Sequence, residues 1–507
     1  MSSLKSTMAV GAGWMLFLRL IDRGLGVAST LVLARLLVPE DFGVVAMATS
    51  ISGALALLTT FGFDFYLIQH EKPEKAHMDT AWTARLLLAV VVGVLVLALT
   101  YPAAAFYQEP RLLEILPIIA LANVILGFEN IAVVRLLKDL LFSREFAFRF
   151  TQRLLRFLTV VGLAFYFESY WALVYGTLIG AIVAVALSFI VMPYAPRFSL
   201  AKLGEMFHFT KWLLANNILD YLRMRGSDFV IGRVEGPAML GTFNVGYEVA
   251  TLPTTELASG VNRAVYPTLV KMRDEDTGED EGAEKSAGFD HAMLRDGFLS
   301  ILNAMALLSL PAGVGVALLA EQLIPVLLGE NWYDAIPIVQ LLALQGALAA
   351  ISGSCSYVFL TLGRPRTMAI IGGIQVPILL ALIIVLTLEM GVIGAAYAHV
   401  IVALVALPVP LVILGRALNV GFFDYATCLW RSVVACLAMA ACVHLTLQTV
   451  LAEGFGQIVA ILSAVSAGVV SYGVLVLVLW WLSGRPAGLE QAALDKAAAL
   501  LFRREVT

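Results

Sequence analysis

The chain of 507 residues is 60% hydrophobic and only 14% charged, and its mean hydropathy is +0.89. Ordinary soluble domains carry about 25% charged residues, so this composition excludes a soluble enzyme or a soluble binding domain. The formal net charge of −4 by itself says nothing about nucleic acid, and we expect no nucleic-acid partner.

Apolar segments of membrane-spanning length recur along the whole chain. A transmembrane helix needs about 20 mostly apolar residues, and fourteen segments have this character. We therefore predict an all-α integral membrane protein with fourteen transmembrane helices. In chain order the segments are centred near residues 10–33, 42–62, 80–101, 113–135, 153–168, 171–193, 211–232, 239–262, 293–319, 334–361, 367–388, 391–414, 429–450 and 457–482.

The distribution of positive charge predicts the orientation in the membrane. If the N-terminus is cytoplasmic and the chain crosses fourteen times, most of the 33 Lys and Arg residues lie in or beside cytoplasmic segments. Such a bias is typical of the cytoplasmic side, so both termini are expected there. Three cations fall near the outer face, namely Arg35, Arg111 and Arg233, and five fall inside spans, namely Arg19, Arg23, Arg223, Arg225 and Arg263.

An internal repeat relates the first span to the seventh. Five residues return in the same order at an offset of 198 positions: Trp14, Asp22, Arg35, Pro39 and Gly43 match Trp212, Asp220, Arg233, Pro237 and Gly241. Later in each copy, residues 109–118 resemble residues 329–338 at an offset of 220. The acidic segment 271–292 has the size and place of the inserted residues.

The repeat predicts the domain organisation. Spans 1–6 (residues 1–195) and spans 7–12 (196–415) are expected to form two pseudo-symmetric six-helix lobes, with 271–292 as an acidic, flexible cytoplasmic loop. Spans 13 and 14 (416–484) lie outside the repeat and precede a cytoplasmic tail (485–507). Internal repeats of this kind are typical of transporters that open alternately to two sides of a membrane.

The segment 138–152 mixes aromatic and basic residues at the cytoplasmic end of the fourth span. This pattern is typical of an amphipathic helix lying in the membrane interface, where its Arg side chains reach anionic headgroups. A positively charged topogenic loop explains the same residues, and the two interpretations are compatible.

Charged residues inside spans point to the functional site. A charge at mid-bilayer costs about 2.5–3.5 kcal/mol, so it must face protein or water. In the first span Arg19, Asp22 and Arg23 share one helix face because their spacings are three and four. The seventh span is unusually polar. Eight polar or charged residues lie on two neighbouring stripes of it: Asn216, Asp220, Arg223 and Ser227 on one, and Asn217, Tyr221, Arg225 and Asp228 on the other.

The eighth span carries a periodic polar stripe. Its members step by three or four positions: Glu248, Thr251, Thr255, Ser259, Asn262 and Tyr266. Glu256 and Arg263 lie on a neighbouring stripe, and Pro253 can kink the helix.

These three spans predict a hydrated, net cationic cavity. Arginine suits phosphate because its planar fork donates two parallel hydrogen bonds and stays charged. The expected binding residues are Arg19, Arg23, Arg223, Arg225, Arg263, Asn216 and Asn217, and we see no nearby balance for the charges of Arg223, Arg225 and Arg263. The alternative is that Asp22 pairs with Arg19 or Arg23, and Asp220 with Arg223, as internal salt bridges.

We find no catalytic constellation, no metal-ligand spacing and no phosphate-cradling loop for ATP. The chain is therefore not expected to be an enzyme, nor to hold a metal or a cofactor. Coupling to Na⁺ or H⁺ remains open, with carboxylates inside the spans as carriers: Asp22, Asp220, Asp228, Glu248 and Glu256.

Four segments resemble the polysaccharide-transport branch of the multidrug/oligosaccharidyl-lipid/polysaccharide flippase superfamily. They are LVPEDFGVVAMATS (37–50), DFVIGRVEGPAMLGTFNVGYEVATLP (228–253), VNRAVYPTLVKM (261–272) and LLGENWYDAIPIVQLL (327–342). The resemblance implies two six-helix lobes with two peripheral helices, in the cytoplasmic (inner) membrane. It also implies export of polyprenyl-pyrophosphate-linked oligosaccharides for exopolysaccharide, capsule or O-antigen.

The same resemblance implies membrane lipids, a polysaccharide polymerase and the chain-length or export machinery as partners. Two transporters of the superfamily are alternatives, a lipid II-type flippase and a drug or cation exporter. The five arginines inside spans argue against the exporter, whose cationic cargo favours an acidic cavity. A membrane polysaccharide polymerase is a more remote alternative, because it would usually need a sizeable outer-face loop.

Overall fold

A computed structural model describes residues 2–59, 63–70, 73–276, 291–485 and 491, with the backbone alone in several segments, including 2–12, 207–216 and 263–276. All regular secondary structure in these residues is helical, and they contain no strand. The predicted all-α class is confirmed.

The chain divides into two compact units, Met1–Val245 and Gly246–Thr507. The first unit contains α1 (Ser2–Leu36), α2 (Pro39–Ala56), α3 (Phe63–Gln69), α4 (Lys75–Tyr107), α5 (Leu112–Gly127), α6 (Val134–Lys138), α7 (Phe142–Phe167), α8 (Trp171–Val191), α9 (Leu203–Val234) and the start of α10 (Gly236–Asp276). The second contains the rest of α10 and α11 (His291–Leu327), α12 (Ala335–Thr361), α13 (Pro365–Met390), α14 (Val392–Ala406), α15 (Pro408–Leu418), α16 (Phe422–Ala452) and α17 (Gln457–Leu482).

Most of these helices can cross a membrane. In the described part of the chain, nine are long and apolar enough, and the pair Leu112–Gly127 and Ile131–Lys138, bent by 58°, makes a tenth. Helices α1, α7, α9 and α10 are also long, with 35, 26, 32 and 41 residues. Three of them, α1, α9 and α10, contain the arginines and carboxylates that the sequence places inside spans. The chain is a multi-pass membrane protein.

The helix ends follow the internal repeat. Helix α1 ends at Leu36 and α9 at Val234, which differ by the same 198 positions. Helix α4 ends at Tyr107 and α11 at Leu327, which differ by 220. Both offsets found in the sequence therefore correspond to equivalent helix ends.

The two copies of the repeated turn touch through their backbones. A Cβ added at Gly43 would lie 1.7 Å from the carbonyl oxygen of Pro237, and one at Gly241 would lie 1.8 Å from that of Pro39. Neither position has room for a side chain. We call this reciprocal contact of α2 and α10 the glycine crossing.

Three connections meet where α1 turns into α2. Arg111 binds Glu109 at 2.7 and 2.8 Å and Glu40 at 2.5 Å. Asp41 accepts hydrogen bonds from the backbone N–H groups of Val38 and Tyr170. We call these residues, 37–41, 108–111 and 168–170, the loop cluster.

The charges of the loop cluster shift its acid–base properties. The hydrogen bonds from Arg111 lower the pKa of Glu109 and raise that of Arg111. The pair of Glu109 and Arg111 is thus held in its charged form.

Two expectations from the sequence differ from the structure. The acidic loop is shorter than 271–292, since α10 extends through Asp276 and α11 begins at His291, while 277–290 lie outside the described residues. Segment 138–152 is not a separate interfacial helix, because α7 runs unbroken from Phe142 to Phe167. Pro253 lies inside α10, which continues past it, and the predicted kink stays a prediction.

Candidate functional site

Asp22 of α1 has its ion-pair partner on another helix. Its Oδ1 atom lies 2.7 Å from Nε of Arg153 on α7. The sequence allowed pairing with Arg19 or Arg23 on α1 itself. The partner instead comes from α7, which packs along α1, while Arg19 and Arg23 are both half-buried.

Two ion pairs lie along α9. Arg223 Nη2 is 3.1 Å from Asp220 Oδ1, and both side chains are exposed. Arg225 Nη1 is 3.2 Å from Asp228 Oδ2. The expectation that these two arginines lack a nearby balancing charge is wrong, because each has a carboxylate three residues away on the same helix.

Asp228 is the most deeply buried of these carboxylates, with 1% exposure. Ser50 of α2 donates its hydroxyl to Asp228 Oδ2 at 2.6 Å. The Tyr221 hydroxyl donates to the backbone carbonyl of Ser50. The first bond joins α9 to α2 through the Asp228 carboxylate, and the second joins them through the Tyr221 hydroxyl.

The polar stripe of α10 is satisfied largely within its own helix. The hydroxyls of Thr251, Thr255 and Ser259 donate to carbonyl oxygens three or four residues earlier. Glu248 and Glu256 are half-buried. The hydroxyls of this stripe are therefore bonded to backbone carbonyls of α10, the helix that also carries the two carboxylates.

The other predicted binding residues divide into two groups. Asn217 on α9 is half-buried. The side chains of Asn216 and Arg263 lie outside the described residues, so their predicted role stays a prediction. Among the described side chains, no three His, Cys, Asp or Glu residues are grouped to hold a metal ion.

Sequence reasoning missed Arg153 and Ser50. Arg153 was counted with the cytoplasmic cations because it follows a basic segment. The spacing of Arg149, Arg153 and Arg156 is a helical stripe that continues into the fifth span, and this signal could have marked it. Nothing in the sequence around Ser50 distinguishes it from a packing residue.

Comparison with known proteins identifies the family of this chain. Residues 32–337 match a family model described as polysaccharide biosynthesis protein. The chain belongs to the polysaccharide biosynthesis protein family. The family resemblance stated from the four sequence segments is confirmed.

Curated relatives of this polysaccharide biosynthesis protein cover much of its length. The lipopolysaccharide biosynthesis protein WzxC of Escherichia coli is 26% identical over 357 residues, 69% of each chain. The succinoglycan biosynthesis transport protein ExoT of Rhizobium meliloti is 26% identical over 356 residues, also 69% of each. The teichuronic acid biosynthesis protein TuaB of Bacillus subtilis is 23% identical over 312 residues, covering 61% of this chain and 62% of its own.

Solved structures show the same fold in transporters. The lipid II flippase MurJ in an inward closed conformation has a TM-score of 0.71 at 13% identity, covering 93% of this chain and 99% of its own. An inward-facing multidrug resistance transporter of the MATE family has a TM-score of 0.58 at 14% identity, covering 78% and 94%. At these identities the similarity establishes the fold of this polysaccharide biosynthesis protein and nothing further.

Proposed function

We propose that the protein is a flippase for surface-polysaccharide biosynthesis. It moves oligosaccharide repeat units, linked to a polyprenyl diphosphate, from the inner to the outer leaflet of the cytoplasmic membrane. The family match over residues 32–337 carries this proposal, and the names of WzxC, ExoT and TuaB support it. The cargo is transported without being chemically changed, so the protein is a transporter and not an enzyme.

The chemistry of the cargo agrees with the charged helices. A diphosphate and a glycan need a polar, cationic surface, whereas the polyprenyl tail can stay in lipid. Arg19, Arg23 and Arg223 offer guanidinium groups that bind phosphate oxygens in pairs. We expect Arg225, Arg263, Asn216 and Asn217 to complete this surface.

We also propose fourteen crossings with both termini in the cytoplasm. The nine apolar helices, the bent pair and the four charged helices α1, α7, α9 and α10 together make fourteen. Two six-helix lobes and two additional helices follow from the repeat. Alternating access by movement of one lobe against the other is the mechanism that such repeats support.

Transport against a gradient needs an energy source, and Na⁺ or H⁺ coupling fits a chain without an ATP-binding loop. Among the five candidate carboxylates, Asp228 is the best supported, because it is buried and bonded to Ser50 of a different helix. A polymerase and export machinery on the outer side would consume the product.

Deletion of the gene tests the proposed function. The strain should lose its surface polysaccharide and accumulate lipid-linked repeat units, and the wild-type gene should restore export. Arg223→Ala should fail to restore it at equal membrane abundance, whereas Arg233→Ala, an exposed arginine at the end of the same helix, should succeed. Normal polysaccharide in the deletion strain would contradict the function.

A lipid II-type flippase is the second candidate, supported by the fold of MurJ. It predicts that the gene sustains growth of a strain depleted of its own lipid II flippase. We expect no rescue, because the family match and the named relatives belong to polysaccharide biosynthesis.

A further inference from the structure

Arg153 faces the charged stripe of α1. Its Nε atom lies 2.7 Å from Asp22 Oδ1, and its guanidinium approaches Gly26 on the next turn of α1. Further along the same two helices, Phe146 contacts Trp14 with ring centroids 4.8 Å apart. The α1–α7 contact is therefore continuous, and Arg153 belongs to it.

The ion pair lies deep between the helix ends. Asp22 precedes the end of α1 by 14 residues, and Arg153 precedes the end of α7 by 14 residues. At 1.5 Å per residue both lie about 21 Å from ends that meet in the loop cluster. A bilayer core is about 30 Å thick, so Arg153 sits within the membrane and not among headgroups.

Two further arginines lie beside this pair. Arg156, one turn further along α7, is close enough for its charge to oppose that of Arg153, and Arg19 shares a face of α1 with Asp22. The side chains of Arg153 and Asp22 are 40% and 51% exposed. The pair is thus accessible from outside the protein.

By contrast, Arg149, one turn before Arg153 on α7, is neutralised. Its Nε atom lies 2.9 Å from Glu145 Oε1 on the same helix, and Glu145 is buried. Arg149 is thus paired with a buried acid, whereas Asp22, the acid that pairs with Arg153, is exposed.

We propose that Arg153 is a binding residue for the diphosphate of the cargo, and that Asp22 is the counter-ion it exchanges. This inference rests on the proposed flippase function. In the protein without cargo, the Arg153 guanidinium forms its ion pair with the Asp22 carboxylate. In the loaded protein the diphosphate, a diester with two negative charges, replaces Asp22 as the partner of the Arg153 guanidinium.

Binding of a short polyprenyl diphosphate tests the exchange. The probe is geranylgeranyl diphosphate, titrated against the purified full-length protein in nanodiscs. The variants are Arg153→Gln, Asp22→Asn and the double variant of both, and Arg149→Gln is the matched control. Loss of charge-assisted hydrogen bonds should weaken binding by Arg153→Gln about 10-fold or more. Asp22→Asn should bind equally or more tightly, since it removes the competing carboxylate, and Arg149→Gln should bind as wild type.

The double variant separates binding from a structural ion pair. If Arg153 binds the diphosphate, Arg153→Gln with Asp22→Asn stays as weak as Arg153→Gln alone. If the pair only holds α1 against α7, neutralising both partners restores wild-type affinity, and the proposal fails. Weaker binding by Asp22→Asn would also overturn it, and this readout does not require Arg153→Gln to fold.

Failure of the proposed function gives a different result. A wild-type protein that neither binds the probe nor restores export in the deletion strain contradicts the flippase. A wild-type protein that does both, with Arg153→Gln equally active, contradicts only the role of Arg153.

Discussion

At the residue scale, local ion pairs organise the charges of the site. The sequence left open a salt bridge between Asp220 and Arg223, and the structure has it, because partners three apart on a helix are neighbours. It left the partner of Asp22 on α1, whereas Arg153 supplies it from α7. Which helix lies beside α1 is a matter of tertiary packing, and no spacing within α1 encodes it.

The pair of Arg225 and Asp228 gives a prediction about stability and binding together. Arg225→Ala leaves the buried carboxylate of Asp228 without its cation, which costs about 3–5 kcal/mol when a pair is fully buried and less here, because Arg225 is half exposed. We expect a clear fall in thermal unfolding temperature, partly reversed by adding Asp228→Asn.

Export distinguishes the two roles of Arg225. The double variant should remain defective in polysaccharide export although its stability recovers, because the guanidinium for the cargo is still missing. Recovery of export along with stability would show that Arg225 serves only to balance Asp228. Membrane abundance, measured by immunoblot, controls for expression.

Glu109 gives a pH prediction. Its pKa is lowered in the folded protein by Arg111, so its stabilising contribution is complete above the unfolded value near 4.5 and is lost as pH falls through the folded value. The thermal unfolding temperature of the purified protein should therefore decrease as the pH falls below about 4.5. Glu109→Gln should show a smaller decrease in this temperature.

The control for this prediction is Glu453→Gln, which changes an exposed glutamate between α16 and α17. Its pH profile should overlay that of the wild type. A profile for Glu109→Gln that also overlays the wild type would mean that the bonds between Arg111 and Glu109 add no stability.

At the element scale, the helix periods and turns were predictable and the joins between helices were less so. The offset of 198 residues predicted that α1 and α9 end at equivalent positions, because Pro and Gly in the turn act locally. The continuity of α7 was missed, since basic residues suggested an interface and neither Pro nor Gly interrupts 142–152. The charge pattern of a helix indicates which residues are polar. It does not distinguish a helix that lies in the membrane interface from one that continues into the membrane.

The glycine crossing gives the prediction for this scale. Gly43→Ala or Gly241→Ala would place a methyl group against a backbone carbonyl, and overpacking costs at least about 1–3 kcal/mol. Because both methyl groups open the same contact, the double variant should lose less stability than the two single variants lose together. The thermal unfolding temperatures of the three variants test this expectation.

Gly260→Ala is the matched control on α10, since an added Cβ there meets nothing within 4 Å. It should be neutral or gain about 0.5–1 kcal/mol from helix propensity. Equal unfolding temperatures of Gly43→Ala and Gly260→Ala would show that the glycine crossing accommodates a methyl group without loss of stability.

At the scale of the whole molecule, composition alone predicted the class, and the fold of transporters agrees with it. The number of crossings is harder to predict, because α1, α7, α9 and α10 combine spanning length with charge. Hydropathy measures transfer to lipid, whereas these helices can be shielded by protein or water.

Topology mapping tests the fourteen crossings. Single cysteines introduced at Gly454, between α16 and α17, and at Gln108, in the loop cluster, should react with a membrane-impermeant thiol reagent in intact cells. A cysteine at Arg364, between α12 and α13, should react only after permeabilisation. Labelling of Arg364→Cys in intact cells would contradict the proposed orientation.

The glycine crossing also bears on the origin of the chain. Gly43 meets Pro237 as Gly241 meets Pro39, and such reciprocity defines an isologous two-fold interface. The reciprocal contact has the symmetry of a dimer of two half-length chains, each glycine meeting the proline of the other half. The charges of α1 and α9 do not share this symmetry, because Arg19 and Arg23 stand where α9 has Asn217 and Tyr221, while both glycines keep the same contact.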